Sequence, residues 1–184
     1  MTAENQTTII VIAVVVILAI VLIALVVGAR RRSAQLRDRF GPEYQRTVDT
    51  AGDQRKAEAD LASRERERQK FQIRPLPAGL REQYLTQWNA VQARFVDDPA
   101  QALSDADDLV QQAMEARGYP VGDFTRQTAV LSVDYGDVIN NYRQAHGIML
   151  SSKNGAASTE DLRRGMVLYR SLFDGLVEAD RAST

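Results

Sequence analysis

The hydrophobic pattern divides the chain near residue 28. From Ile9 to Val27 it reads IIVIAVVVILAIVLIALVV, nineteen apolar residues without a charge or a hydroxyl. As a helix that run spans about 28 Å, close to the hydrocarbon thickness of a bilayer. It is far too long for a strand. A cleaved signal peptide carries a basic leader, a shorter apolar run and a small-residue cleavage site. Here Glu4 is the one charged residue of the leader, and the run exits at Gly28-Ala29-Arg30-Arg31-Arg32. The pattern predicts an uncleaved transmembrane helix over residues 9–29, preceded by a short extracytoplasmic N-terminus, residues 1–8.

Beyond the arginines the apolar positions become periodic. Ser33 to Phe40 continues a helix until Gly41-Pro42, where proline suits the first position of a short helix through Tyr44 and Val48. Gly52-Asp53 breaks that helix. Residues 53–70 hold eleven charges in eighteen positions, with only Ala57 and Leu61 as an apolar stripe. Such a segment predicts a solvated helix, a spacer or a thin coiled-coil seam. Residues 30–72 are therefore expected to form a juxtamembrane basic segment and a charged helical stalk. Ile73-Arg74-Pro75-Leu76-Pro77 is an extended linker, because each proline disfavours helix in the residue before it.

Residues 73–179 carry the pattern of a compact bundle. Tyr84, Trp88, Val91 and Phe95 share one face of a helix over about Leu80 to Phe95. Asp98-Pro99-Ala100-Gln101 has capping-box form, and Leu103, Ala106, Val110, Ala113 and Met114 stripe the helix that follows. Arg117-Gly118-Tyr119-Pro120 stops it. Asp123-Phe124-Thr125 opens a short helix through Leu131, after which Tyr135, Val138, Tyr142, Ala145 and Met149 recur at helical spacing. Lys153-Asn154-Gly155 ends that run. Ser158 or Thr159, with Asp161 three residues after Ser158, caps a last helix with Leu162, Met166, Tyr169, Phe173 and Leu176 on one face. The expected fold is all-α: an N-terminal transmembrane helix, a charged helical stalk and a small helical bundle of about four helices. Residues 180–184 are expected to form a disordered tail.

Charge narrows the partners. The chain holds 23 basic and 24 acidic residues, and with Glu4 set aside the part beyond the apolar run is formally neutral. A neutral domain lacks the basic surplus whose counterion release drives nucleic-acid binding. Arg30, Arg31, Arg32, Arg37 and Arg39 crowd one flank of the apolar run. By the positive-inside rule that flank stays in the cytoplasm, with the N-terminus outside. The same five side chains are candidate contacts for anionic lipid headgroups, at about 1 kcal/mol each close to the surface.

Candidate chemistry is sparse. The absence of cysteine excludes disulfides and thiolate metal sites. Five aspartates lie between Asp97 and Asp108, where Asp97 and Asp98 suit the positive end of a helix and Asp105, Asp107 and Asp108 fit a solvated face. An EF-hand loop needs oxygen ligands at alternate positions, a central glycine and a closing glutamate, and Asp105 to Val110 fails at the third ligand and the glycine. His146 is the one imidazole, and beside Tyr142 it reads as a core-edge histidine. Gly118 to Asp123 has no lysine for a phosphate loop. Carboxylate-only hydrolysis by Asp97, Asp98 or Asp134 is the residual enzymatic option. No cofactor is expected.

Several phrases are distinctive: Arg39-Phe40-Gly41-Pro42-Glu43-Tyr44, Arg94-Phe95-Val96-Asp97-Asp98-Pro99, Arg117 to Phe124 (RGYPVGDF), Asn141 to His146 (NYRQAH), and Asp161-Leu162-Arg163 ahead of Tyr169-Arg170. Over about Leu36 to Val177 they resemble a family of bacterial single-pass membrane proteins, described as hypothetical, membrane or secreted proteins. The resemblance implies a bacterial source and a membrane anchor, and supplies no activity or catalytic residue.

The leading expectation is a non-enzymatic interaction or scaffold module at the inner face of a bacterial cytoplasmic membrane. Its partners would be membrane lipid and an unknown protein or a second copy of the chain. Arg94, Asp97 and Asp98, with Arg117, Tyr119, Asp123 and Phe124, lie at helix ends and form the candidate partner surface. The alternative is an envelope-associated protein that senses anionic lipid or self-associates.

Overall fold

The computed structural model describes residues 3–178, with side chains from residue 16 onward. Every element among them is a helix: α1 Ala3–Phe40, α2 Pro42–Ala51, α3 Gln54–Arg68, α4 Ala78–Arg94, α5 Pro99–Arg117, α6 Phe124–Asp134, α7 Ile139–Lys153 and α8 Thr159–Glu178. Met1, Thr2 and the tail expected over 180–184 lie outside the described residues.

Local chemistry sets the boundaries. Gly41 at φ 51° turns the chain out of α1, and Pro42 opens α2. The left-handed Gly52 ends α2, and Asp53 caps α3 by accepting a hydrogen bond from the Lys56 backbone N–H at 2.8 Å. Asp98 caps α5 through Gln101 N–H, and Asp123 caps α6 through the N–H groups of Thr125 and Arg126. At the start of α8, Ser158 Oγ accepts from Asp161 N–H while the Asp161 carboxylate accepts from Ser158 N–H, the reciprocal capping box.

The large core joins α4, α5, α7 and α8, with α6 at its edge. Trp88, Leu103, Met114, Leu131, Ile139, Tyr142, Tyr169, Phe173 and Leu176 are fully enclosed in it. Trp88 stacks on Phe173 with ring centres 4.6 Å apart. The domain after residue 73 has five helices rather than about four. The expected run from Tyr135 to Met149 is divided, since Tyr135 ends α6 and Val138 precedes α7. Gly136 lies at this break. A Cβ there would meet the carbonyl oxygen of Phe40 at 2.2 Å, so only glycine lets the end of α1 approach so closely.

That approach builds a second, smaller core from Leu36, Phe40, Tyr44, Leu61 and Val133, with Val48 against it. It corrects the expectation of a free stalk over residues 30–72. α3 is not solvated on most sides: Ala57 and Leu61 are both 0% exposed, and the helix lies against α1, α2 and α6. Two apolar positions suffice because Phe40 and Tyr44 bring large rings to meet them. The charges around the seam then pair outward, Arg68 with Asp134 and Arg126 with Glu67.

α1 runs unbroken from the apolar stretch into this core, as the pattern predicted for Ser33 to Phe40. Among the described residues no helix is long and apolar enough to cross a membrane. The stretch expected to do so, Ile9 to Val27, lies partly outside them, because the side chains of Ile9 to Val15 are not described. From Val16 to Val27 the large side chains of α1 are exposed, Leu25 by 66%, and meet little of the rest of the chain.

Candidate functional site

The basic flank of α1 is where α2 and α3 come alongside it. Facing pairs run in step along α1 and α3: Arg39 Nε lies 3.6 Å from Glu65, and Leu36 packs in one core with Leu61. Nearer the apolar stretch, Ala24, Leu25, Gly28, Ala29 and Arg32 line one cleft with Arg55, Glu58 and Ala59. α3 is thus parallel to α1, and its first turn is level with the end of the apolar run. Of the five arginines expected to face lipid, Arg30, Arg31 and Arg32 are exposed. Arg37 lies over the Tyr44 ring at 5.1 Å, and Arg39 is drawn toward Glu65 and Asp134. The last two are occupied in holding α1 to the domain.

Below this flank Glu43, fully enclosed, gathers cations from two other helices. Arg143 of α7 donates to both its oxygens at 2.7 and 2.8 Å, and Arg64 of α3 donates at 2.8 Å. Arg46, one turn along α2, lies at 3.7 Å. Burial pushes the Glu43 carboxyl up, but the hydrogen bonds and charge of Arg143 and then Arg64 outweigh it and hold it below the usual range. This hub ties the small core to the large one. No local signal marks it, because Glu43 and Arg143 are separated by 100 residues.

A second buried chain crosses the bundle. Tyr169 donates to Asp107 at 2.7 Å, Gln111 donates to the same carboxylate, and His146 Nδ1 lies 3.7 Å away. Tyr142 donates to Gln127 at 3.0 Å, and Phe124 stacks on His146 with centres 4.0 Å apart. Burial raises Asp107, yet His146, Tyr169 and Gln111 bring it below its ordinary value; burial and the Asp107 charge push Tyr169 far up. Asp107 therefore does not belong to a solvated face. The signal was present: Leu103, Asp107, Val110 and Met114 follow one another at four, three and four residues, so the aspartate occupies the apolar stripe. His146 is at the core edge, as expected.

The expected partner residues do not form one surface. Arg94 ends α4 and Asp97 and Asp98 lead into α5, whereas Arg117 ends α5 and Tyr119, Asp123 and Phe124 lie beyond it, about 28 Å away across a helix of 19 residues. Arg94 pairs with Asp105, and Asp98 is a cap. Tyr119 is buried and donates to Asp134 at 2.7 Å, while Arg117 donates to the Leu176 carbonyl at 2.6 Å. Asp123 caps α6 and Phe124 packs on His146. Arg117 and Tyr119 are buried within the bundle, while Arg94, Asp97, Asp98 and Asp123 remain exposed at helix ends. Asp134 also accepts from Arg68 at 2.5 Å and lies at the other end of α5 from Asp97 and Asp98, so the three acids do not assemble into a hydrolytic pair. Among the described residues no group of three or more His, Asp or Glu side chains is placed to hold a metal ion. No family model, curated protein or solved structure matches the chain.

Proposed function

We propose that the chain is a membrane-anchored, non-enzymatic helical module: α1 lodges its apolar half in the bilayer and presents the bundle at the cytoplasmic face of a bacterial inner membrane. The observation that carries this reading is the continuity of α1. One helix bears the Ile9–Val27 run, then the exposed Arg30, Arg31 and Arg32, then Leu36 and Phe40 inside the small core. An anchor joined in this way holds its cargo at a fixed height and angle, which suits scaffolding of a partner beside the membrane. The buried polar groups support the same reading. Glu43, Asp107 and Asp134 are satisfied by neighbours within the fold, whereas a catalytic acid or base needs access to a substrate proton.

The test uses a chain that has no cysteine of its own. Ser33→Cys and Ser183→Cys are introduced one at a time and treated with a membrane-impermeant maleimide. Protection in intact cells with labelling after permeabilisation supports the orientation. Labelling of both in intact cells overturns it.

A further inference from the structure

The return of α2 and α3 along α1 brings a part of the chain to the bilayer surface that the sequence order does not suggest. α2 leaves α1 at Gly41 and runs back beside it, so its end at Ala51 is level with the region where the apolar run stops. Gln54 shares a cleft with Val26, Ala29, Arg30 and Ser33 of α1, and Arg55 shares one with Ala24, Leu25 and Gly28. The Ala51–Asp53 turn and the first turn of α3 therefore lie in the same plane as Arg30, Arg31 and Arg32. With α1 inserted to the end of its apolar run, this turn comes close to the bilayer surface.

The charge there is suited to an anionic surface. Arg30, Arg31, Arg32, Arg55 and Lys56 are all exposed. Among the described residues no salt bridge engages Arg30, Arg31, Arg55 or Lys56, in contrast to Arg39, Arg64 and Arg68 deeper along the same seam. Three acids close to the turn are engaged within the fold, while Asp38, farther along α1, lines the same cleft as Arg30 and Gln54. Asp49 accepts from Gln45, Asp53 accepts from Lys56 N–H as the cap of α3, and Glu58 accepts from Tyr44 and Gln54. The unused N–H groups of the first turn of α3 add partial positive charge at the same place.

We propose that Arg55 and Lys56, on the α2–α3 turn, close a basic collar with Arg30, Arg31 and Arg32 around the exit of α1 and grip anionic phospholipid headgroups. The collar gives the bundle a second attachment beside α1 itself and fixes its rotation about the anchor. Each basic side chain at such a surface strengthens association roughly fivefold, an effect that salt screens. This inference rests on the anchored reading above.

The experiment separates the two. The full chain is labelled with an environment-sensitive fluorophore at Ala51→Cys or, separately, Leu22→Cys, and reconstituted in bilayers of phosphatidylcholine with or without phosphatidylglycerol. Quenchers are carried either on headgroups or deep in the acyl chains. The collar predicts strong headgroup quenching at Ala51 in anionic bilayers. That quenching falls severalfold in neutral bilayers, at 1 M salt, or in the double variant Arg55→Glu, Lys56→Glu, while Leu22 stays quenched from the acyl chains throughout. Quenching at Leu22 without quenching at Ala51, or quenching at Ala51 indifferent to lipid charge, salt and the double variant, overturns the collar and leaves the anchor intact. Loss of acyl-chain quenching at Leu22 overturns the anchor and the collar together. The lipid and salt arms keep the test decisive even if the double variant folds poorly.

Discussion

Neutralising Glu43 is the sharpest perturbation of the packing described above. Its carboxylate is fully enclosed and meets Arg143 through two hydrogen bonds and Arg64 through one. At an effective dielectric near 20, each guanidinium attracts it by about 4 kcal/mol with charge centres roughly 4 Å apart. Against this gross attraction of about 8 kcal/mol stands a desolvation cost of several kcal/mol for the carboxylate, so the intact cluster contributes little net stability. Removing one member is a different matter. Glu43→Gln keeps the shape, discards both attractions and leaves two guanidiniums facing each other. Arg64 and Arg143 keep 16% and 18% of their side-chain surface exposed, so water screens part of the loss. We set the cost at about 3 kcal/mol, toward the low end for a broken buried pair. For a chain of this size that lowers Tm by about 6–12 °C. Thermal unfolding of the full chain in detergent micelles, followed by circular dichroism at neutral pH, measures it. A drop smaller than about 2 °C would refute the argument that this hub locks α2, α3 and α7 together.

Three further outcomes follow from the same geometry. Tyr169→Phe removes the donor to the buried Asp107 carboxylate and is expected to lower stability by about 1–3 kcal/mol, read in denaturant titrations; Asp107→Asn in the same background should recover part of the loss. Gly136→Ala places a methyl group 2.2 Å from the Phe40 carbonyl oxygen, so α1 must lift from the small core, and faster protease cleavage within residues 30–70 is the signature. Acid provides the fourth test. Glu43 and Asp107 have carboxyls held below their ordinary values of 4.5 and 3.8, so the unfolded chain binds more protons than the folded one in that range. Their stabilisation is complete above the ordinary values and is lost as pH falls through the lower folded ones. The acid limb of a Tm-against-pH profile should be shallower in Glu43→Gln, and an unchanged limb would count against the carboxylate's role.

Helix starts and stops were legible because their causes are local. Asp98, Asp123 and Ser158 satisfy N–H groups two or three residues away, and Gly118 supplies the left-handed turn after α5. The packing of residues 30–72 was not legible. A helix with eleven charges and two apolar positions looks solvated until Phe40 from one neighbour and Val133 from another enclose Leu61, and those partners are far away along the chain. The same distance hid Glu43 and Arg143. Asp107 was hidden differently: its position on the apolar stripe was visible, but its residue type argued for solvent. The phrases at the helix ends pose the opposite problem. Distinctive residues at helix ends suggest recognition, and here they cap helices, seal the core or pair with neighbours.

The account stands on α1 remaining whole and lodged in lipid, and one measurement addresses this directly. Membranes from expressing cells are washed with alkaline carbonate, and the chain is located and its intact mass determined. The account predicts the chain in the membrane pellet, with a mass that includes residues 9–29. Recovery in the wash, or a mass lacking that segment, would contradict it.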